Sequence, residues 1–297
     1  MDSRLYAGEQ DLRAMTRLVS AAWAAHGPRF EFAVGDLDWR MNCNGFVQPR
    51  ENVRLWHDAR GQLVGFAWGY VNGDIDVAVF PREHAAAVVP GMLDWARDWF
   101  STHGGTGGTP RRVWVLESNT AVLGVLKQRG WRRQEGECYL HLAQPVHAPG
   151  PAPLPPGYRI RHVRGPEEAA TRAEVHRRGF GSERVTTEVY QRVMRTAHYR
   201  AHLDLVAEGP GGELAALALC WLDEENSVGE FEPVATAPEH RRKGLSLALL
   251  REGLRRLHAA GARTAIVYAQ SANPGSVSLY ESAGFRAVDR NWGYIAP

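Results

Sequence analysis

The hydrophobic pattern divides the chain into strands and helices that run in nearly the same order twice. In the second half, GYRIRHV (157–163) predicts a strand, and residues 166–178 and 186–196 predict helices. LDLVAE (203–208) and ELAALALCWL (213–222) predict strands joined by the turn GPGG, and GEFEPVAT (229–236) predicts another. A helix follows over 242–260, stopped by Gly261. RTAIVYAQ (263–270) is apolar and β-rich, which marks a buried strand. A helix over 274–283 ends at Gly284, and 285–295 form the last strand segment. In the first half, strands fit 3–7, 52–59, 63–71, 74–80, 111–117 and 131–143, and helices fit 9–25, 82–102 and 119–129. The pattern assigns no element to 26–51. Between the halves runs HAPGPAPLPPG (147–157), whose prolines favour extended backbone and forbid a helix interior. It predicts a linker between a domain of residues 1–146 and one of residues 158–297.

The ends of the two halves match. YAQSANPGSVSLYESAGFRAV sets against WVLESNTAVLGVLKQRGWRRQ. With Asn273 on Asn119, Gly284 falls on Gly130, eleven residues on in both, and Phe285 falls on Trp131. Strand, loop, Asn, helix, Gly and aromatic in one order point to an internal duplication. The copies are unequal. Tyr280 meets Leu126, and after the matching prolines Pro238 and Pro81, Arg241 meets His84 and Gly244 meets Ala87. The first half keeps the frame and loses the chemistry.

Composition narrows the class. A chain of 297 residues, 44% hydrophobic and 23% charged, suits two globular domains. No apolar run reaches the roughly 18–20 residues that span a bilayer, and the N-terminus lacks a signal-peptide core, so the chain reads as cytoplasmic without a membrane partner. Cys43, Cys138 and Cys220 lie far apart, make no metal-ligand spacing and suit a reducing compartment. A net charge of +2 argues against a nucleic-acid partner. A local basic cluster in a nearly neutral chain points to a small anion instead.

That cluster is His240, Arg241, Arg242 and Lys243, in PEHRRKGLSLALL (238–250). A strand ending at Thr236 and a helix beginning near Arg242 leave the first helical N–H groups without intrahelical acceptors, at the positive end of the dipole. Gly244 permits close approach of the backbone, and Ser246 is small. Together they read as a phosphate or pyrophosphate cradle. A solvated basic helix start is the plainer reading. Neither a Walker loop nor a G-x-G-x-x-G fingerprint occurs here.

The wider context is V-x-T-x-P-x-x-R-x-x-G-x-S from Val234 to Ser246, followed by NPGSVSLYESAGFRAV from Asn273. It resembles the GNAT superfamily of N-acetyltransferases. The match is close over about 226–290 and fits the order of elements over 158–297. The first half resembles a degenerate copy, as in tandem members of the mycothiol synthase type. Ser246 departs from the family's usual Gly or Ala. The resemblance implies an α/β fold of two tandem domains, each a mixed, mostly antiparallel sheet with flanking helices and a splayed parallel strand pair, here 229–236 and 263–270. It implies acetyl-CoA as donor and no metal. The N–H groups of Arg242, Lys243, Gly244, Leu245 and Ser246 would hold the pyrophosphate, with Arg241 in support. Backbone groups of Val234 and Thr236 would pair with the pantetheine arm, and Asn273 would lie near it. A backbone N–H near Val234 or Ala235 would meet the oxyanion.

Acyl transfer to an amine needs a base, an oxyanion partner and a proton for the thiolate. Tyr280 stands where the family often places that acid, and a phenol's pKa suits the task; a packed aromatic is the alternative. Glu230 and Glu232 share one face of their strand by their spacing of two. Glu230 resembles the position of a family general base, and Glu232 would orient the amine. The roles are open to exchange, and a solvent-facing position is the plain alternative. His240, His258 and Cys220 read as structural. Eight of the ten tryptophans lie in the first half, mostly for packing, with one or two available to an acceptor pocket. The expected acceptor is a small-molecule amine, and the expected state is monomer or homodimer. A catalytically silent CoA-binding sensor and an enzyme using a longer acyl group are the competing readings. Tyr280 with Glu230 and Glu232 counts against the silent one.

Overall fold

The computed structural model describes residues 1–43, 48–103 and 111–297. The first half contributes β1 (Asp2–Leu5), α1 (Glu9–His26), α2 (Val34–Cys43), α3 (Pro49–Asn52), β2 (Val53–His57), β3 (Leu63–Gly69) and β4 (Asp74–Val79). It continues with α4 (Ala85–His103), β5 (Arg112–Leu116), α5 (Thr120–Gln128) and β6 (Arg132–Pro145). The second half contributes β7 (Arg159–His162), α6 (Ala169–Phe180), α7 (Thr187–Val193), β8 (Asp204–Glu208), β9 (Leu214–Asp223) and β10 (Val228–Thr236). Then come α8 (Leu245–Ala259), β11 (Thr264–Gln270), α9 (Pro274–Ser282) and β12 (Arg286–Ile295). Residues 147–157 form neither helix nor strand.

The strands form one mixed sheet in the order β1-β2-β3-β4-β5-β12-β6-β11-β10-β9-β8-β7. The halves exchange strands to make it. β12, from the C-terminus, lies antiparallel between β5 and β6, with Trp292 opposite Val115 and Cys138. β6, from the first half, lies along β11, with Val267 opposite Leu142. Two parallel pairs exist, and both come apart early. β10 meets β11 only from Val228↔Thr264 to Glu230↔Ile266, and β4 meets β5 only from Asp74↔Arg112 to Asp76↔Trp114. Each copy therefore has its own splay.

β9 is buried along its whole length because both faces are covered. Ala216, Ala218, Cys220 and Leu222 pack under α8. Gly253 lets that helix sit close, since a Cβ there would fall within 2.9 Å of Phe231 and Cys220. Leu219 and Trp221 face the other way, against α7 and against Trp39 and Cys43 of α2. Thus α2 crosses from the first half onto the face of the second. The ring and backbone N–H of His198 both bond to Asp38 on α2, at 2.9 and 3.1 Å.

The sequence pattern placed no element in 26–51, and α2 and α3 are there. The helix expected from Arg242 begins instead at Leu245. Arg242 and Gly244 both adopt left-handed backbone, φ 61° and 77°, which no α-helix accommodates. Each half was expected to have a mixed, mostly antiparallel sheet with a splayed parallel pair; both are present, and they run together through β6 and β12.

Candidate functional site

The basic loop is an open cradle. Pro238–His240 makes one 3-10 turn after β10, and the chain then passes through left-handed Arg242 and Gly244 into α8. The backbone N–H groups of Arg242 through Ser246 have no acceptor among the described residues. Five converging orphan donors at a helix start suit an anion with several oxygens. Side chains hold the loop in shape. Arg241 donates to the carbonyls of Thr236 and Gly179, at 3.3 and 3.1 Å. Lys243 reaches the Tyr158 hydroxyl at 2.8 Å, which also bonds to His240. The Ser246 and Thr236 hydroxyls meet at 2.6 Å, so Ser246 ties the helix start to the strand end. Arg241 and Lys243 thus shape the loop as well as charge it.

Beyond Glu230, the β11-facing edge of β10 is unpaired. The Ala237 N–H donates to Ala215, on the β9 side. By alternation, Val234 and Thr236 turn their backbone groups to the open edge. A bulge between Phe231 and Val234 marks where the strand bends. Asn273 caps α9 by accepting from the Ser276 N–H at 3.1 Å, and Asn119 caps α5 in the same way. Tyr280 is buried on α9 with its ring edge-on to Phe285, at 6.1 Å. Burial, and then the charge of Glu232, holds its phenol protonated above the ordinary range.

The two glutamates on β10 have different surroundings. Glu230 is 2% exposed; neither carboxylate oxygen has a hydrogen-bond partner, and a Cβ on Gly35 would lie 2.4 Å from Oε2. Burial pushes it far up, and Asp36 and Glu232 add to the shift against the pull of Arg40. Glu232 lies one pleat nearer the bend and lines a cavity of about 460 Å³ between the halves. Burial, with Asp36 adding and Arg40 opposing, pushes its carboxyl up to about 7.

Most of that cavity belongs to the first half. Trp39 and Arg40 come from α2, Tyr70 and Asp76 from the β3–β4 hairpin, and Trp114 from β5. Trp39 and Trp114 are thus the tryptophans that line it. Arg40 pairs with Asp36 at 3.2 Å and Asp76 at 2.6 Å. Sequence reasoning expected the first half to form one wall of an acceptor cleft, with one or two tryptophans in it, but named none of Arg40, Tyr70 and Asp76. The first half's own splay is crossed by its chain. Arg82, just after β4, donates to the carbonyls of Arg29 and Ser118, and Asn119 donates to Glu31 at 2.6 Å. Its turn Arg82–His84 runs straight into α4 without a left-handed residue.

A strand splay, an orphan-donor loop and a buried tyrosine on the helix after the second splayed strand define a class, and comparison with known proteins agrees. Residues 173–285 match the Acetyltransferase (GNAT) family. Mycothiol acetyltransferase of Sanguibacter keddieii is 31% identical over 78% of this chain and 77% of its own. That of Geodermatophilus obscurus is 26% identical over 94% and 92%. In structure, the chain is similar to a tandem GNAT protein from the clavulanic acid biosynthesis pathway (TM-score 0.69, 18% identity, 99% and 98% covered). It is also similar to a GCN5-related N-acetyltransferase from Sphaerobacter thermophilus (0.65, 21%, 99% and 94%). The chain belongs to the GNAT acetyltransferase family and is an acyltransferase. No helix among the described residues is long and apolar enough to cross a membrane. Among them, no group of three or more His, Cys, Asp or Glu side chains is arranged to hold a metal ion.

Proposed function

We propose that the protein is an acetyl-CoA-dependent N-acetyltransferase that acetylates a primary amine of a small molecule held in the cavity between the halves, by direct transfer. The donor supplies an activated thioester carbonyl. The residues present fit it: the orphan N–H groups of Arg242, Lys243, Gly244, Leu245 and Ser246 suit its pyrophosphate, and the open edge at Val234 and Thr236 suits its pantetheine amides. Asn273 stands at the far side of the same splay.

Glu232 carries this reading. It is the site acid that lines the acceptor cavity and whose charge also reaches Tyr280. With a carboxyl near 7, it accepts a proton from an ammonium or amine at neutral pH. Glu230, walled in by Gly35 and Trp221, packs one pleat behind it, and burial with the field of Asp36, against the pull of Arg40, sets the proton affinity of Glu232. Val234 presents an N–H to the developing oxyanion, since Pro233 has none and Ala235 faces β9. Tyr280 holds the proton that the departing thiolate takes. Residues 1–146 act as a degenerate copy that does not bind the donor, and the Arg29–Glu31 segment across its splay supports this.

The test is the pH dependence of acetyl transfer. kcat/KM is expected to rise with pH through about 7 as Glu232 loses its proton. In Glu232→Gln that limb disappears and the rate falls by about 10²-fold or more. An unchanged limb in the variant removes Glu232 as the base.

A further inference from the structure

The acceptor cavity contains more acid than the base requires. Its lining includes five carboxylates, Glu31, Asp36, Asp74, Asp76 and Glu232. Three have a cation of their own: Arg40 serves Asp36 and Asp76, and Arg112 serves Asp74 at 2.7 Å. Neither Arg40 nor Arg112 pairs with Glu31 or Glu232, and the further cation of the lining, Arg184, has a partner of its own. Glu31 is 7% exposed; its Oε1 accepts from Asn119, and its Oε2 has no partner. Arg82 is near enough to be felt by Glu31, but it is bonded to the carbonyls of Arg29 and Ser118 instead. Burial holds the Glu31 carboxyl above its ordinary range against the pull of Asn119 and Arg82, and a cation beside it would draw it back down. Tyr70, Trp114, Tyr139 and Tyr268 line the same space, where aromatic rings cover methylenes and draw ammonium groups, although Arg112 already stands over one face of Trp114.

We propose that the acceptor carries at least two ammonium groups, one presented to Glu232 for acetylation and a second received by Glu31, the specificity-determining residue of the cavity. This rests on the cavity being the acceptor site. The substrate class is a di- or polyamine, or an amino sugar with a second amine. Ionising a buried carboxyl that has no paired cation is costly, and a substrate ammonium set beside it lowers that cost. The chain segment that crosses the first half's splay is what delivers Glu31, so the degenerate copy has become a recognition element.

The experiment compares matched amines on the full chain loaded with CoA, by calorimetry and by acetyl-transfer kinetics: cadaverine against pentylamine, and putrescine against butylamine. Wild type is expected to bind each diamine about tenfold or more tighter than its monoamine. Glu31→Gln is expected to lose that preference with monoamine affinity unchanged. Equal binding of diamine and monoamine by wild type overturns the proposal without any variant, so a Glu31→Gln chain that fails to fold leaves it testable. A preference that survives Glu31→Gln also overturns it. Acetylation of monoamines and diamines at equal kcat/KM sinks the second-cation site and leaves N-acetylation standing. Diamines bound through Glu31 but never acetylated, while other amines are, would make the cavity a diamine site and not the acceptor site.

Discussion

Glu230 and Glu232 are two residues apart on one strand, and the fold gives them different surroundings. Glu232 meets the cavity, while Glu230 is sealed under Gly35. The folded chain holds Glu230 protonated to a higher pH than the unfolded chain does. The folded state therefore binds more protons as pH rises through the carboxylate range, and stability falls with rising pH there. Glu230→Gln removes this loss. Thermal melts should show the variant gaining on wild type as pH rises above the ordinary carboxylate range, and a constant difference would mean that Glu230 does not titrate with folding. Tyr280 is legible in the sequence only through the motif around it, because a buried helix tyrosine is ordinary. Tyr280→Phe should lower kcat by about 10–10³-fold with acetyl-CoA affinity kept; an unchanged kcat makes the ring a packing residue only.

At the scale of elements, the loop before α8 was readable because it needs rare residue chemistry in a row: Thr236, Pro238, Gly244 and a small residue at 246. Its helix start was misplaced by three residues because nothing local announces a left-handed arginine at 242. α2 was not readable for a different reason. Asp36 and Asp38 are both 2% exposed, which inverts the expected polar face. Their partners, Arg40 and His198, satisfy them only in the folded chain, and His198 is 160 residues away. Glu31 likewise depends on Asn119, 88 residues on. The cradle gives the prediction at this scale. Gly244→Asp sets a Cβ on left-handed backbone and a negative charge among orphan donors. Calorimetry should show acetyl-CoA affinity falling by about 10²-fold or more, whereas His84→Ala in the first half leaves it unchanged. Normal binding by Gly244→Asp would put the donor elsewhere.

Across the whole molecule, the internal repeat points to two copies but says nothing of how they join. Strand patterns state which residues face a core, not which neighbour a strand takes. The halves share one sheet through β6 and β12. Residues 158–297 expressed alone would leave β11 without its β6 neighbour and β12 without either partner. That fragment should lack a cooperative melt by circular dichroism, and co-expression with 1–146 should restore one together with acetyl-CoA binding. A fragment that melts cooperatively and binds alone would show that the exchange is dispensable. The exchange also bears on synthesis. A ribosome finishes the first half's own segment at residue 146, yet the place between β5 and β6 is taken by residues 286–295. The earlier copy must wait, with strand edges exposed, until residues 286–295 have been made and have cleared the exit tunnel. A truncation before residue 286 would therefore strike the copy that was translated first.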